Sequence, residues 1–274
     1  MVTRRNVMKS LKMVLSLFAL SLIFTQYSLA TDYTGMWWDQ SKPGTGVFID
    51  FTEGPNTVCG SWYLYDDRGY PMWVTFWGIV ENGALSADLY RFTGPAMGHS
   101  WNNDAVRSES VGNIKLNFKD SGHIAMTYEI ERHGGTFDLT RFSTDSCVGS
   151  LWWDLQKQGQ GVSHVHFKGP STDELTGIVW YVYDKDGNGI WYTAVGPTDA
   201  ETFDALTFTG PPLGQPWDAS LVKSQKAGTI TASFDVNAFK EQNTPKIDFL
   251  FDIQGVSGKL DLVPFECPVA VPGR

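Results

Sequence analysis

The chain has 274 residues, with 30 Asp/Glu against 21 Lys/Arg, for a net charge of −9. An acidic surface of this kind opposes binding to nucleic acid and to anionic membranes, and leaves neutral or cationic partners open. Eleven tryptophans and seventeen phenylalanines supply enough ring area to build a core rich in β-structure.

The first thirty residues read as an export leader rather than as fold. Arg4, Arg5, Lys9 and Lys12 make a positive start, Met13–Phe24 is apolar, and Ser28-Leu29-Ala30 resembles a small-residue cleavage site. The apolar run is too short to cross a bilayer core of roughly 30 Å as a helix. The alternative is an uncleaved anchor. The Thr3–Lys9 stretch also resembles a twin-arginine signal, so the export route stays open. Cleavage removes four basic residues and no acidic ones, which takes the net charge from −9 to about −13. The predicted location is periplasmic or secreted, with no stable membrane insertion after cleavage.

From there a meander of strands is predicted. Gly35–Asp39, Val47–Phe51, Val58–Tyr65, Met72–Val80, Leu85–Phe92, Asn113–Phe118, Ile124–Ile130 and Thr136–Phe142 are rich in β-branched and aromatic residues. Asp66-Asp67-Arg68-Gly69, Glu81-Asn82-Gly83, Lys119–Gly122 and His133-Gly134-Gly135 separate several of them with turn chemistry.

The same pattern then repeats. Trp37-Trp38-Asp39 returns as Trp152-Trp153-Asp154, and Gly44 and Gly46 return as Gly159 and Gly161. Trp62–Asp66 matches Trp180–Asp184, Gly69 and Trp73 match Gly187 and Trp191, and Phe92–Pro95 matches Phe208–Pro211. Gly98 and Trp101 match Gly214 and Trp217; Trp77 alone among the tryptophans has no twin. The period is domain-sized, far longer than solenoid or propeller repeats of about 20–50 residues. Two all-β copies are expected, 31–145 and 146–267, followed by a short tail at 268–274. Eight consecutive antiparallel strands hide both edges by closing into an up-and-down barrel, the alternative being a β-sandwich. The connection 94–110 and its twin 210–225 are long in both copies, which marks a candidate lid or binding loop.

The spacing W-W then G-x-G, W-Y-x-Y-D-x-x-G-x-x-W and a G-P pair resembles a repeat of exported bacterial proteins with no established activity. That resemblance implies an exported β-module and no catalytic residues. Gly189 departs from it, standing where the first copy has Pro71. By architecture alone the copies are similar to avidin-like or lipocalin-like barrels, and fold does not fix function.

Candidate binding residues are the rings at fixed places in each copy: Trp37, Trp62, Tyr65, Trp73 and Trp101, with Trp152, Trp180, Tyr183, Trp191 and Trp217. Adjacent strand residues face opposite sides, so one of Trp62 and Tyr63 points inward, and the other points to solvent, a partner or the second copy. Core packing is the competing reading. The Asp184–Gly189 stretch begins like a calcium loop, with Asp184, Asp186 and Asn188 spaced as ligands, but Val195 stands where the closing Glu belongs, so a hairpin turn is favoured. His164 and His166 share one strand face and are a weak metal candidate. Of three cysteines, Cys147 and Cys267 each follow a last strand, so their bridge is favoured slightly over Cys59–Cys147.

No nucleophile elbow, zincin, phosphate-loop or dinucleotide motif occurs, so no catalytic residue and no cofactor is predicted. The expected function is a non-enzymatic module with aromatic-lined sites for a small apolar or glycan ligand. The alternatives are a structural or interaction protein that uses its aromatic faces as contacts, and a hydrolase.

Overall fold

In a computed structural model of the protein, the described residues are 33–51, 56–142, 149–169, 173–232 and 247–265. They form two closed antiparallel barrels of eight strands each. Barrel one comprises β1 (Gly35–Trp38), β2 (Gly46–Phe51), β3 (Thr57–Tyr65), β4 (Pro71–Ile79), β5 (Ala84–Thr93), β6 (Arg107–Asp120), β7 (His123–Ile130) and β8 (His133–Arg141). Barrel two comprises β9 (Gly149–Asp154), β10 (Gly161–Lys168), β11 (Glu174–Tyr183), β12 (Gly189–Pro197), β13 (Thr202–Thr209), β14 (Lys223–Ala232), β15 (Ile247–Ile253) and β16 (Val256–Pro264). Each strand pairs with its chain neighbours, and the first closes onto the last, with Trp37 opposite Arg141 and Trp153 opposite Val263. The leader, the stretch 143–148 and the tail lie outside the described residues.

The strands follow the residue pattern closely, with one informative difference. The expected strand Asn113–Phe118 is the second half of a longer β6, because a register shift at Leu89/Tyr90 lets β5 and β6 stay paired from Thr93–Arg107 to Ala84–Asn117. Barrel two shows the same irregularity at Ala205/Leu206. Bulges of this kind coil a sheet strongly enough to close it.

The Trp-Trp-Asp motif clasps each barrel shut. In β1 the Trp37 ring points inward, and Asp39 just beyond accepts the Asp138 N–H of β8 at 3.2 Å as well as Ser41 N–H at 2.9 Å. Asp154 does the same in barrel two, accepting Asp261 N–H of β16 at 3.2 Å and Gln156 N–H at 2.8 Å.

Alternation then sorts the rings. Inward positions such as Trp37, Trp62, Ile49 and Leu116 fill barrel one, and Trp152, Trp180, Phe249 and Leu260 fill barrel two. Outward positions Tyr65, Trp73, Tyr181, Tyr183 and Trp191 form a third apolar cluster, which lies between the barrels. That contact is nearly twofold. Trp191 Nε1 donates to Leu64 O of barrel one at 3.0 Å, and Trp73 Nε1 donates to Val182 O of barrel two at 3.3 Å.

The long connections, 94–106 and 210–222, complete it. Gly94 N–H donates to Gly187 O at 3.1 Å, while Gly210 N–H donates to Gly69 O at 3.0 Å. Each of these glycines lies flat against the other barrel's tyrosine, Gly94 on Tyr183 and Gly210 on Tyr65, where a Cβ would enter the ring. Beyond them Met97 packs on the interior of barrel two, and Leu213 on that of barrel one. Each copy therefore lends an arm to its twin. The connections expected as lids or binding loops are arms that join the barrels.

Candidate functional site

The rings expected to bind ligand divide into three groups. Trp37, Trp62, Trp152 and Trp180 are at most 2% exposed and pack inside the barrels. They act as core because inward strand positions converge on a filled interior. Tyr65, Trp73, Tyr183 and Trp191 are buried between the barrels. Trp101 and Trp217 are partly buried on the exchanged arms, next to Tyr183 and Tyr65, at centroid distances of 6.0 and 6.2 Å.

The contact between barrels is not closed everywhere. A cavity of about 450 Å³ opens beside it. One wall is the outer face of β3 and β4, where Cys59 stands opposite Trp77, Ser61 opposite Thr75 and Tyr63 opposite Trp73. Of these, Cys59, Ser61, Trp73, Thr75 and Trp77 reach the cavity. Barrel two supplies Leu151, Trp153, Tyr181, Phe265 and the turn 158–161, and arm one supplies Asn103 and Val106. Sites at domain junctions, mostly apolar with a few placed polar groups, are the usual form of small-ligand pockets, at about 300–1,000 Å³.

Two hydroxyls of the cavity wall, Ser61 and Tyr181, are hydrogen-bonded to each other, with Ser163 behind them. Ser61 Oγ donates to Tyr181 Oη at 2.9 Å, and Ser163 Oγ lies 2.7 Å from the same oxygen. Burial pushes the Tyr181 phenol up to about 12, so it stays protonated. Asn103 Oδ1 accepts Trp101 Nε1 at 2.8 Å and Gln158 N–H at 3.0 Å, which ties the arm to the rim. Among the described residues, no Asp, Glu, Lys, Arg or His lines the cavity. Asp50, the partner of Cys59 on β2, accepts the Leu151 N–H of barrel two at 3.3 Å, and burial pushes its carboxyl up to about 6.

The twofold relation places a second cavity of about 260 Å³ on the opposite side, lined by Trp38, Tyr63, Val179, Trp191, Val195 and Phe167 among others. A third, of about 200 Å³, lies under arm two at one end of barrel one, with Trp62, Tyr65 and Trp217 in its lining.

Of the residues expected as ligand-binding, Trp73 and Trp152 line the large cavity. Sequence reasoning gave no binding role to Ser61, Trp77 and Phe265, and left Trp153 and Tyr181 among the paired rings without assigning them to a site. For Trp77 and Ser61 the available signal was departure between copies: Trp77 has no tryptophan twin, and Ser61 stands where copy two has Val179.

The remaining candidates resolve into local structure. Asp184 Oδ1 accepts the N–H groups of Asp186 and Asn188, both at 2.8 Å, as Asp66 Oδ1 does for Arg68 and Tyr70 at 2.9 and 2.8 Å. The calcium-like stretch is thus the same hairpin turn in both copies, with Asp184 turned onto the backbone. His164 and His166 point into barrel two with their rings perpendicular, 4.4 Å apart, and His166 Nδ1 is 3.1 Å from Thr176 Oγ1. Burial holds both imidazoles below their ordinary range, and His166 depresses His164 further. Among the described residues no group of three His, Cys, Asp or Glu could hold a metal ion. Cys59 is disulfide-bonded. Cys147 and Cys267 lie outside the described residues, and with three cysteines in the chain a bridged Cys59 leaves no pair for the Cys147–Cys267 bridge favoured from sequence.

Among the described residues no helix is long and apolar enough to cross a membrane. No protein-family model, no curated protein and no solved structure matches this chain.

Proposed function

We propose that the protein is an exported, non-enzymatic binding module, and that its ligand occupies the cavity between the barrels. The observation that carries this reading is the cavity itself: about 450 Å³, walled by rings from both barrels and furnished with buried hydroxyls. The non-enzymatic part rests on chemistry. Among the described residues the lining offers no acid–base pair, Cys59 is tied in a disulfide, and the Tyr181 phenol is too weak an acid to serve as a base near neutrality. The ligand is small, and apolar or glycan in class.

Tryptophan emission of the mature protein, titrated with a panel of small apolar compounds and short glycans, tests the reading. A saturable change lost on Trp153→Ala supports it. A flat response to the whole panel would overturn it in favour of a structural role, for which the burial of Tyr65, Trp73, Tyr183 and Trp191 between the barrels speaks. Export is tested separately, by finding a mature chain that starts after Ala30 outside the cytoplasm.

A further inference from the structure

We infer that the large cavity takes an uncharged, planar aromatic molecule with one hydrogen-bond acceptor at its buried end, and that Trp77 and Tyr181 set this preference. The inference rests on the cavity being the ligand site.

The duplication supplies its own control. The outer ladder of β3 and β4 reads Cys59–Trp77, Ser61–Thr75, Tyr63–Trp73, and its twin on β11 and β12 reads Gly177–Val195, Val179–Thr193, Tyr181–Trp191. Both ladders support the same contact between barrels, so what that contact requires should be common to both. The tyrosine–tryptophan pair is common. The differences, Trp77 for Val195 and Ser61 for Val179, fall in the larger cavity. In the smaller one Phe167 and Val165 occupy the lining, and Tyr63 Oη meets only the Met36 thioether at 3.0 Å. One side has been filled, while the other keeps space and hydroxyls.

The shape follows from the rings. Trp77 is held flat by stacking on Tyr90, with centroids 4.4 Å apart and planes 14° from parallel. It is partly buried and lines the cavity, whereas its counterpart Val195 is 54% exposed. Barrel two contributes Trp153 and Phe265, braced edge to face at 5.2 Å. Fixed ring faces favour a flat guest, because offset stacking and edge contacts both need a rigid plane.

The polar end follows from a proton count. Ser61, Tyr181 and Ser163 carry three hydroxyl protons, and the two bonds among them use two. One proton remains to donate to an acceptor. All three residues are at most 4% exposed, so an acceptor placed there would be shielded from water. A charged guest would leave water without a counter-ion among the lining residues, and a sugar would bring more hydroxyls than the cavity can pair.

The test is calorimetric and fluorescence titration of the full mature chain with coumarin, naphthalene, naphthalene-2-sulfonate, cellobiose and dodecanol. Two variants borrow the twin's residue, Trp77→Val and Ser61→Val, so both are expected to fold, which melting curves check. Coumarin should bind most tightly, with naphthalene weaker by roughly two- to tenfold for the missing hydrogen bond. Trp77→Val should weaken both by about tenfold or more. Ser61→Val leaves the Tyr181 hydroxyl in place and should keep the preference for coumarin over naphthalene, whereas Ser61→Val combined with Tyr181→Phe removes both lining hydroxyls and should erase it. Coumarin affinity unchanged in a folded Trp77→Val variant would overturn the inference, as would tighter binding of the sulfonate. Saturable binding of cellobiose or dodecanol alone would overturn it while leaving the site reading intact. No binding of any probe would overturn both.

Discussion

Replacing Trp191 with alanine should cost about 3–5 kcal/mol of stability, the range for deleting a large buried ring. The residue is 1% exposed and sits against the rings of Phe208, Tyr63 and Tyr65, at 5.1, 5.3 and 5.9 Å. Two of those three rings belong to the other barrel, so most of the loss falls on the contact between barrels. About 1 kcal/mol of it is the bond to Leu64 O, whose carbonyl would be left without that donor. Trp191→Phe keeps most of the ring and should lose about 1–2 kcal/mol. Tyr70→Ala, 55% exposed on a hairpin, should change stability by no more than about 0.5 kcal/mol. The assay is urea unfolding followed by far-ultraviolet dichroism and by tryptophan emission. The wild type should unfold in one transition by both probes, and Trp191→Ala should separate them into two as the barrels uncouple. A loss below about 1 kcal/mol with one unchanged transition would refute the claim that the ring cluster holds the barrels together.

Three further outcomes follow from the buried polar groups and the disulfide. The His164 and His166 imidazoles are held below their unfolded value of about 6.5, so the unfolded chain takes up protons first. Stability should therefore fall as pH drops below about 6.5, and the double variant His164→Ile, His166→Phe, which copies barrel one, should flatten that fall in pH-dependent melts. Asp50 has the opposite sign: with its folded value raised to about 6 above 3.8, the native state takes up the proton first and gains stability as pH falls between them. Asp50→Asn should stabilise by on the order of 2 kcal/mol at pH 7.5 and by little at pH 4; equal effects at both would contradict the burial argument. Reduction should lower stability by about 2–5 kcal/mol through loss of the Cys59 bridge, and a Cys59→Ser variant should no longer respond to reductant.

The barrel was legible because its causes are local. Alternation along a strand, turn residues and repeated motifs together specify a meander that has to close, and the inward half of each ring pair could be assigned from period two alone. The outward half could not. Trp62 and Tyr63 could be sent to opposite faces, but whether Tyr63 met solvent, a partner or the second copy depends on how two barrels pack, which no local pattern carries. The connections after Gly94 and Gly210 are visible in the sequence as long and duplicated, which suits a lid or a binding loop as well as an arm. Their glycines are small because the tyrosine of the other copy lies on them, a contact between residues far apart in the chain. The large cavity was hidden for a related reason. What the copies share marks the cores and the contact, and a lining that mixes shared rings with the unshared Trp77 and Ser61 leaves no repeated motif of its own. Trp77 stands out in the sequence as a tryptophan without a twin, which by itself carries no role.

That division follows from the physics of a fused pair. Two copies joined about a near-twofold axis bury the same patch on both sides, so any residue that serves the contact is needed twice. The paired bonds from Trp73 and Trp191, the paired arms and the tyrosines Tyr65 and Tyr183 all obey this rule. A residue that serves something other than the contact is released from it. Departures without effect should scatter over both sides, removing and adding bulk without relation to chemistry. Instead, Trp77, Ser61 and Cys59 line one cavity, and Ser163, which stands where copy one has Phe48, bonds the Tyr181 hydroxyl of the same cavity. They combine a flat ring, a buried hydroxyl pair and a covalent tie around one space, while the opposite side fills with Val165 and Phe167. A duplicated scaffold whose contact departs from symmetry mainly around one cavity, with complementary changes from both halves, supports the proposal that one opening is kept for a guest.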